Sequence, residues 1–182
     1  MATNRSRSLA GEASESKMSS ELEQLLVGQV AHTAPSRVLE CIDPDLALRK
    51  TAGVPHTIYE EVWHLAFWQQ ISLEWAQGIE TPCPEHASVG FPTAEQIAAA
   101  PWPSVKKRFL AGTEAAAGIT RDPAAPERTI VCPSPPGHPA RTMTVREQLE
   151  NLAAHNAYHL GRVVLLRQIN NAWPPPTGGF SW

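Results

Sequence analysis

Apolar residues recur at helical spacing through most of the chain, in segments that proline and glycine separate. Four Ser/Thr-x-x-Glu/Gln boxes stand at the starts of such segments, where they satisfy the free N–H groups of a first helical turn. These capping boxes are Ser20 with Glu23, Thr57 with Glu60, Thr93 with Gln96, and Thr144 with Glu147. No convincing alternating strand pattern is found, so the pattern predicts an all-α protein.

The breakers between these boxes set the predicted bounds of the helices. We expect helices over residues 21 to the low 30s, 57–77, 94–99, 104–117 and 144–170. Because proline suits a first helical turn, Pro35 should restart the first helix toward Ile42, and Pro44 and Gly53 bracket a connecting segment. Four substantial helices with apolar stripes must bury those stripes together, and a four-helix bundle is the simplest architecture that does so.

The connections between the later helices are predicted to be irregular. Pro101 and Pro103 should cut the short helix from the one that follows. Residues 120–143 contain six prolines and little periodicity, so we expect a long irregular excursion before the last helix. Short strand pairing between residues 128–131 and 141–143 is the one regular structure that the sequence leaves open there.

Length and composition predict one domain with a tail at each end. The chain has 182 residues, which suits a single domain, and we assign residues 19–173 to it. Residues 1–18 are rich in Ser, Arg, Glu and Ala and are predicted to be a disordered N-terminal tail. Residues 174–182 form the C-terminal tail, where Phe180 and Trp182 could dock on a second copy, which makes a homodimer a hypothesis.

Charge and hydropathy argue against several classes of function. The formal net charge is −3, so no basic excess is present to neutralise phosphates, and nucleic-acid binding is not expected. No apolar run approaches the roughly 20 residues that cross a bilayer, so no membrane partner is expected. The first 20 residues lack the apolar core of a signal peptide, and three widely spaced cysteines suit reduced thiols. A cytoplasmic location is therefore predicted.

The candidate chemistry lies in the histidines. His155 and His159 stand at i and i+4 on the predicted last helix, with Cβ atoms about 6 Å apart. Two imidazoles at that spacing can reach one divalent cation at about 2.0–2.1 Å. By itself this is a weak signal, and an exposed or hydrogen-bonded pair is the alternative. Asn156 stands where a zincin protease carries its general base Glu, so a protease of that type is excluded.

His64 on the second predicted helix is a third candidate ligand. At about 100° per residue it shares an inward-facing band with Trp68 and Ile71. The equivalent band of the last helix holds both His155 and His159, so all three rings should face inward. A core histidine with hydrogen-bonded ring nitrogens is the alternative for His64, and the spacing alone leaves the two interpretations about even.

Two charged residues near these histidines are candidate catalytic residues. Glu60 lies one turn before His64 and could orient an imidazole or accept a proton, although its place in the capping box with Thr57 favours a structural role. Arg162 lies one turn beyond His159 and could hold an anionic substrate. Pairing with a carboxylate, or extension into solvent, is the favoured alternative for Arg162.

A family resemblance lies in two segments, TIYEEVWHLAFWQQISLEWAQG and HNAYHLGRVVLLRQINNAWPP. They resemble the DinB-like (YfiT-related) family of damage-inducible four-helix metalloproteins. That family places one metal-ligand histidine on its second helix and an HxxxH pair on its last, which match His64, His155 and His159. The resemblance covers about residues 20–176 and implies a four-helix bundle. The chain departs from it at Arg162, where family members often carry Gln.

The resemblance also implies a function. A three-histidine site leaves a divalent ion at least one open position, and imidazole ligands suit zinc or nickel, with iron as a further candidate. Characterised family members include metal-dependent transferases or isomerases that act with low-molecular-weight thiols such as bacillithiol or mycothiol, and others are described as hydrolases. We therefore expect a metal-dependent transferase or hydrolase that acts on a small-molecule substrate with such a thiol or an activated water. A non-catalytic metal-binding stress-response protein, or a helical interaction module with structural histidines, is the alternative.

Overall fold

The computed structural model describes residues 21–28, 30 and 32–179. Predictions that concern the tail of residues 1–18, the capping residue Ser20, and the aromatic residues Phe180 and Trp182 lie outside the described residues.

The described part of the chain is mostly helical, which confirms the predicted all-α class. The helices are α1 (residues 21–27), α2 (Pro35–Val38), α3 (Pro44–Leu48), α4 (Ile58–Ala76), α5 (Ala94–Ala99), α6 (Trp102–Thr120) and α7 (Val145–Ile169). A 3₁₀ turn spans Ala87–Gly90, and two short strands are β1 (Thr129–Cys132) and β2 (Arg141–Thr144). The helix α4 packs against both α6 and α7, and buried residues of α1 complete the bundle.

The capping boxes begin the helices as predicted at the three starts where both partners are described. At α4 the Thr57 side chain accepts from the backbone N–H of Glu60, and the Glu60 carboxylate accepts from the backbone N–H of Thr57 at 2.6 Å. The same reciprocal pairs start α5 at Thr93 and α7 at Thr144. The long helix α4 ends where Gly78 adopts φ +83°, a conformation that favours glycine.

The segment between α1 and α4 differs from the prediction. The helix α1 ends at residue 27 instead of continuing into the low 30s, because Gly28 has φ +72°. The restarted helix α2 ends at Val38, short of Ile42. No helix was predicted in the connecting segment between Pro44 and Gly53, but the structure contains one at Pro44–Leu48. The side chain of Asp43 accepts from the Leu46 N–H at 2.7 Å, and with Pro44 in the first turn it starts the unpredicted helix α3.

The bounds of α6 are wider than the predicted 104–117. Pro101 is its N-cap and Pro103 lies in its first turn, where a missing N–H costs no helical hydrogen bond, so the prolines start the helix. At the other end α6 continues through Gly118 to Thr120.

The excursion before α7 contains the short strand pairing that the sequence left open. The strands β1 and β2 are antiparallel, with Thr129 opposite Thr144 and Cys132 opposite Arg141. Ile130 and Cys132 face the core, and Thr144 is at once the last residue of β2 and the N-cap of α7. The hairpin thus leads directly into the helix that carries two of the candidate ligands.

The bundle core is divided by a polar layer. One apolar cluster contains Ala66, Phe109 and Leu160, and a second contains Ile71, Ala116 and Ala153, each set taken in order from α4, α6 and α7. Between them lies a layer that we call the mid-bundle polar layer, which consists of Gln69, Thr113 and Asn156.

Among the described residues, no helix combines the length and apolar character required of a bilayer-spanning segment.

Candidate metal centre

The three predicted histidines meet where α4 packs on α7. His64 of α4 is 4% exposed and His159 of α7 is 7% exposed, while His155 is half-buried. One ring nitrogen from each of the three lies within 4.8 Å of those of the other two. The sequence could place these rings on inward faces, and the packing of the two helices brings them together.

The separation of the His64 and His155 rings is compatible with a shared metal ion, and equally with a direct hydrogen bond between the two rings. The Nε2 atoms of His64 and His155 are 3.3 Å apart. Two nitrogen ligands at about 2.0–2.1 Å from a tetrahedral ion stand about 3.3–3.4 Å from each other. The Nδ1 atoms of both rings are buried without a partner of full hydrogen-bond geometry among the described residues, although the backbone of Gly90 and the side chain of Asn156 act on the pKa of His64 and His155 respectively.

The protonation state of these rings also suits a ligand role. The pKa of His64 is lowered to about 3, mainly by burial and in addition by charge on the neighbouring rings of His159 and His155. Burial likewise lowers the pKa of His155 to about 4, with charge on His159 acting in the same direction. Both imidazoles are therefore neutral at pH 7, which is the form that binds metal ions.

His159 makes a hydrogen bond with a buried acid that sequence reasoning missed. Its Nδ1 lies 2.7 Å from Oε2 of Glu61, whose side chain is 0% exposed. The candidate acid Glu60 is instead engaged with Thr57 in the capping box of α4. The two acids are adjacent in the sequence, and only the buried position of Glu61 on α4 distinguishes it.

Arg162 contacts the same carboxylate. Its Nη2 lies 2.8 Å from Oε1 of Glu61, and its side chain is partly exposed. Its guanidinium carbon also stands 6.0 Å from the ring centroid of Tyr158. Of the two roles considered for Arg162, the structure contains the carboxylate pair.

A loop that the sequence analysis did not connect with the site covers His64. The ring of Phe91 stacks on His64 with centroids 4.2 Å apart, and its other face stacks on His56 at 3.8 Å. A Cβ atom placed on the preceding Gly90 would lie 2.8 Å from Nδ1 of His64 and 2.7 Å from Nε1 of Trp68. The absence of a side chain at position 90 therefore lets the 3₁₀ turn approach the ring, and the Gly90-Phe91 dipeptide is the only sequence signal of this contact.

Comparison with known proteins identifies the family. The model of the DinB superfamily matches residues 30–163, a range that includes all three histidines and most of the chain. Searches of curated proteins and of solved structures gave no match. The mostly helical bundle and the buried histidine triad agree with the family match. The chain therefore belongs to the DinB superfamily.

Proposed function

We propose that the protein binds one divalent metal ion through His64, His155 and His159 and uses it to transfer a low-molecular-weight thiol to a small electrophilic substrate. The observation that carries the proposal is the convergence of three ring nitrogens within 4.8 Å at a buried helix interface. Zinc is the ion that a tetrahedral arrangement of neutral imidazoles suits best, with nickel and iron as the other candidates.

The chemistry of the site follows from its ligands. A dication held by three neutral imidazoles keeps its full charge and acts as a Lewis acid that makes a thiol or a water nucleophilic at neutral pH. His64, His155 and His159 hold the ion, and Phe91 and Gly90 exclude water from the covered side of His64. His155 is the most exposed of the three rings, so substrate approaches from its side of the group.

The contacts of the neighbouring carboxylate favour a thiol, rather than water, as the nucleophile. Glu61 contacts the histidine group, but its two oxygens face His159 and Arg162. It is therefore engaged and poorly placed to serve as a general base for water. A thiol has an ordinary pKa of about 8.5, so a modest lowering yields the thiolate without a separate base. Hydrolysis by an activated water is the second form of the proposed chemistry.

A non-catalytic metal-binding protein of stress response is the alternative function. The observation that favours it is the near-complete burial of His64 and His159, together with the aromatic ring of Phe91 stacked over His64. A closed site of this kind suits binding without turnover. The homodimer and the cytoplasmic location stay predictions.

Metal analysis tests the binding step. The protein is purified after growth in medium that contains zinc, nickel and iron, and metal content per chain is measured by mass spectrometry. We expect about one ion per chain, its loss in His64→Ala and His159→Ala, and its retention in His138→Ala, which removes an exposed histidine outside the group. Metal-free wild type with a normal helical spectrum would overturn the proposal.

A conjugation assay separates the catalytic proposal from the alternative. Bacillithiol and mycothiol are offered with a panel of electrophiles to the metal-loaded and metal-free protein, and thioether formation is followed. Turnover that requires both the metal and His155 supports transfer. A metal-loaded protein that turns over with neither a thiol nor water would overturn the catalytic proposal and support the non-catalytic alternative.

A further inference from the structure

We infer that Glu61 is a positioning residue, which fixes His159 as the Nδ1–H tautomer and turns its Nε2 toward His64 and His155, while Arg162 holds the carboxylate in place. This inference deepens the proposed function and rests on it for its connection to a metal ion.

The hydrogen-bonding chemistry at His159 determines its tautomer. A carboxylate has only acceptor atoms, and Oε2 of Glu61 lies 2.7 Å from Nδ1 of His159. The ring must therefore donate its Nδ1–H to Glu61. In the neutral ring the lone pair then belongs to Nε2, which is the atom that remains to bind a metal ion.

Burial explains why this contact is well defined. Glu61 is 0% exposed, and a carboxylate at such a position is stable only when its oxygens are paired. Its second oxygen faces Nη2 of Arg162 at 2.8 Å. Oε1 makes this ion pair without the geometry of a hydrogen bond, while Oε2 makes the hydrogen bond with His159, so the two oxygens have different partners.

Glu61, His159 and Arg162 lie at the same helix interface as the histidine group. Glu61 lies one turn before His64 on α4, while His159 and Arg162 lie one turn apart on α7. The pair of contacts therefore crosses the same helix interface as the histidines. The negative charge also makes His159 a stronger electron donor, and Arg162 balances that charge so that the buried set does not carry a net negative charge.

A purely structural role for Glu61, as an ion pair that joins α4 and α7, predicts different results. Such a role would lower the melting temperature of a Glu61 variant without a specific change at the ring of His159. The test must therefore report on the ring itself and on metal affinity, in addition to stability.

The first measurement uses the wild-type protein in metal-free form. Nitrogen-15 chemical shifts of the imidazole rings distinguish an Nδ1–H from an Nε2–H tautomer, and His159→Gln assigns the signals. We expect His159 to be the Nδ1–H tautomer. An Nε2–H tautomer in wild type would overturn the inference, and this measurement needs no variant of Glu61 to fold.

The second measurement compares Glu61→Gln with Glu60→Gln. Both remove one negative charge from the first turn of α4, but Glu60 contacts Thr57 and not His159. We expect zinc affinity, measured by competition with a chromophoric chelator, to fall about 10- to 100-fold in Glu61→Gln and to change less than threefold in Glu60→Gln. Equal zinc affinity in Glu61→Gln and wild type would overturn the role of Glu61.

The two hypotheses fail in different ways. Wild type that binds no zinc would overturn the proposed function, whereas the tautomer of His159 is read without any metal. A folded Glu61→Gln protein with a normal helical spectrum, weakened zinc binding and a mixed tautomer supports the positioning role.

Discussion

Each of the three imidazole rings is held by a different kind of contact. His159 is held by the carboxylate of Glu61, and His64 is held between Phe91 and the rings of α7. His155 has its Nε2 against that of His64 at 3.3 Å and is the least buried of the three. Single substitutions should therefore affect one ring at a time.

Position 90 tests the packing around His64. In Gly90→Ala the new methyl group would lie 2.8 Å from Nδ1 of the buried His64 ring and 2.7 Å from Nε1 of Trp68, so the ring or the loop must move. We expect the free energy of unfolding to fall by about 1–3 kcal/mol, as overpacking generally causes. We also expect a zinc affinity at least about tenfold lower, as measured by isothermal titration calorimetry, since a displaced ring no longer converges with the others.

Gly161→Ala is the matched control for that substitution. Gly161 lies in α7 between His159 and Arg162, yet a Cβ atom there meets nothing within 4 Å. Alanine is also the better helix former, so the control should keep its zinc affinity and gain a little stability. Unchanged zinc binding in Gly90→Ala would contradict the packing argument.

At the scale of secondary-structure elements, the mid-bundle polar layer holds α4, α6 and α7 in register. Gln69 of α4 donates its side-chain N–H to the backbone oxygen of Phe109 at 2.8 Å. Its side-chain oxygen accepts from Thr113 of α6 and from Asn156 of α7, each at 3.2 Å. Because Asn156 adjoins His155, this layer sets the position of α7 next to the histidine group.

Two glycines of α6 provide a test of this layer. In Gly112→Ala the new Cβ would overlap Nε2 of Gln69, which is 1% exposed and has little room to move. We expect a loss of about 1–3 kcal/mol in the free energy of unfolding, measured by urea denaturation. In Gly118→Ala the Cβ meets nothing within 4 Å, so we expect a gain of up to about 1 kcal/mol from helix propensity. Similar unfolding midpoints for the two variants would refute the close approach at Gly112.

The element bounds show which local signals were sufficient. The boxes at Thr57, Thr93 and Thr144 predicted the starts of three helices, because capping depends on groups within one turn. The helix α3 was missed although Asp43 and Pro44 carry a start signal, since the five-residue helix is too short for periodicity to reveal. Gly118 was predicted to end α6, but the helix continues to Thr120, whose side chain is buried.

At the scale of the whole molecule, a metal ion would join α4 to α7 across a sequence separation of 91 residues between His64 and His155. Binding to the folded state alone stabilises it by about 2.7 kcal/mol when the free ion is at 100 times its dissociation constant. We therefore expect zinc to raise the melting temperature of the metal-free protein by several degrees.

The control ion for this experiment is magnesium. Magnesium prefers oxygen ligands and should leave the melting temperature of the metal-free protein unchanged. The zinc effect should be reversed by a chelator and should be absent in His155→Ala. A zinc-induced rise of the same size in His155→Ala would show that the ion binds elsewhere.

The sequence by itself determined the helical class, most helix starts and the inward faces of the three histidines, because capping and periodicity act over a few residues. Only the tertiary structure decided which groups surround those rings. Glu61 and His159 are 98 residues apart, and neither their pairing nor the stacking of Phe91 on His64 follows from local spacing. Glu60 and Glu61 differ by one position, or about 100° around α4, and burial against α7 made the second the partner of His159. Contacts of this kind depend on how helices pack, which no local pattern specifies.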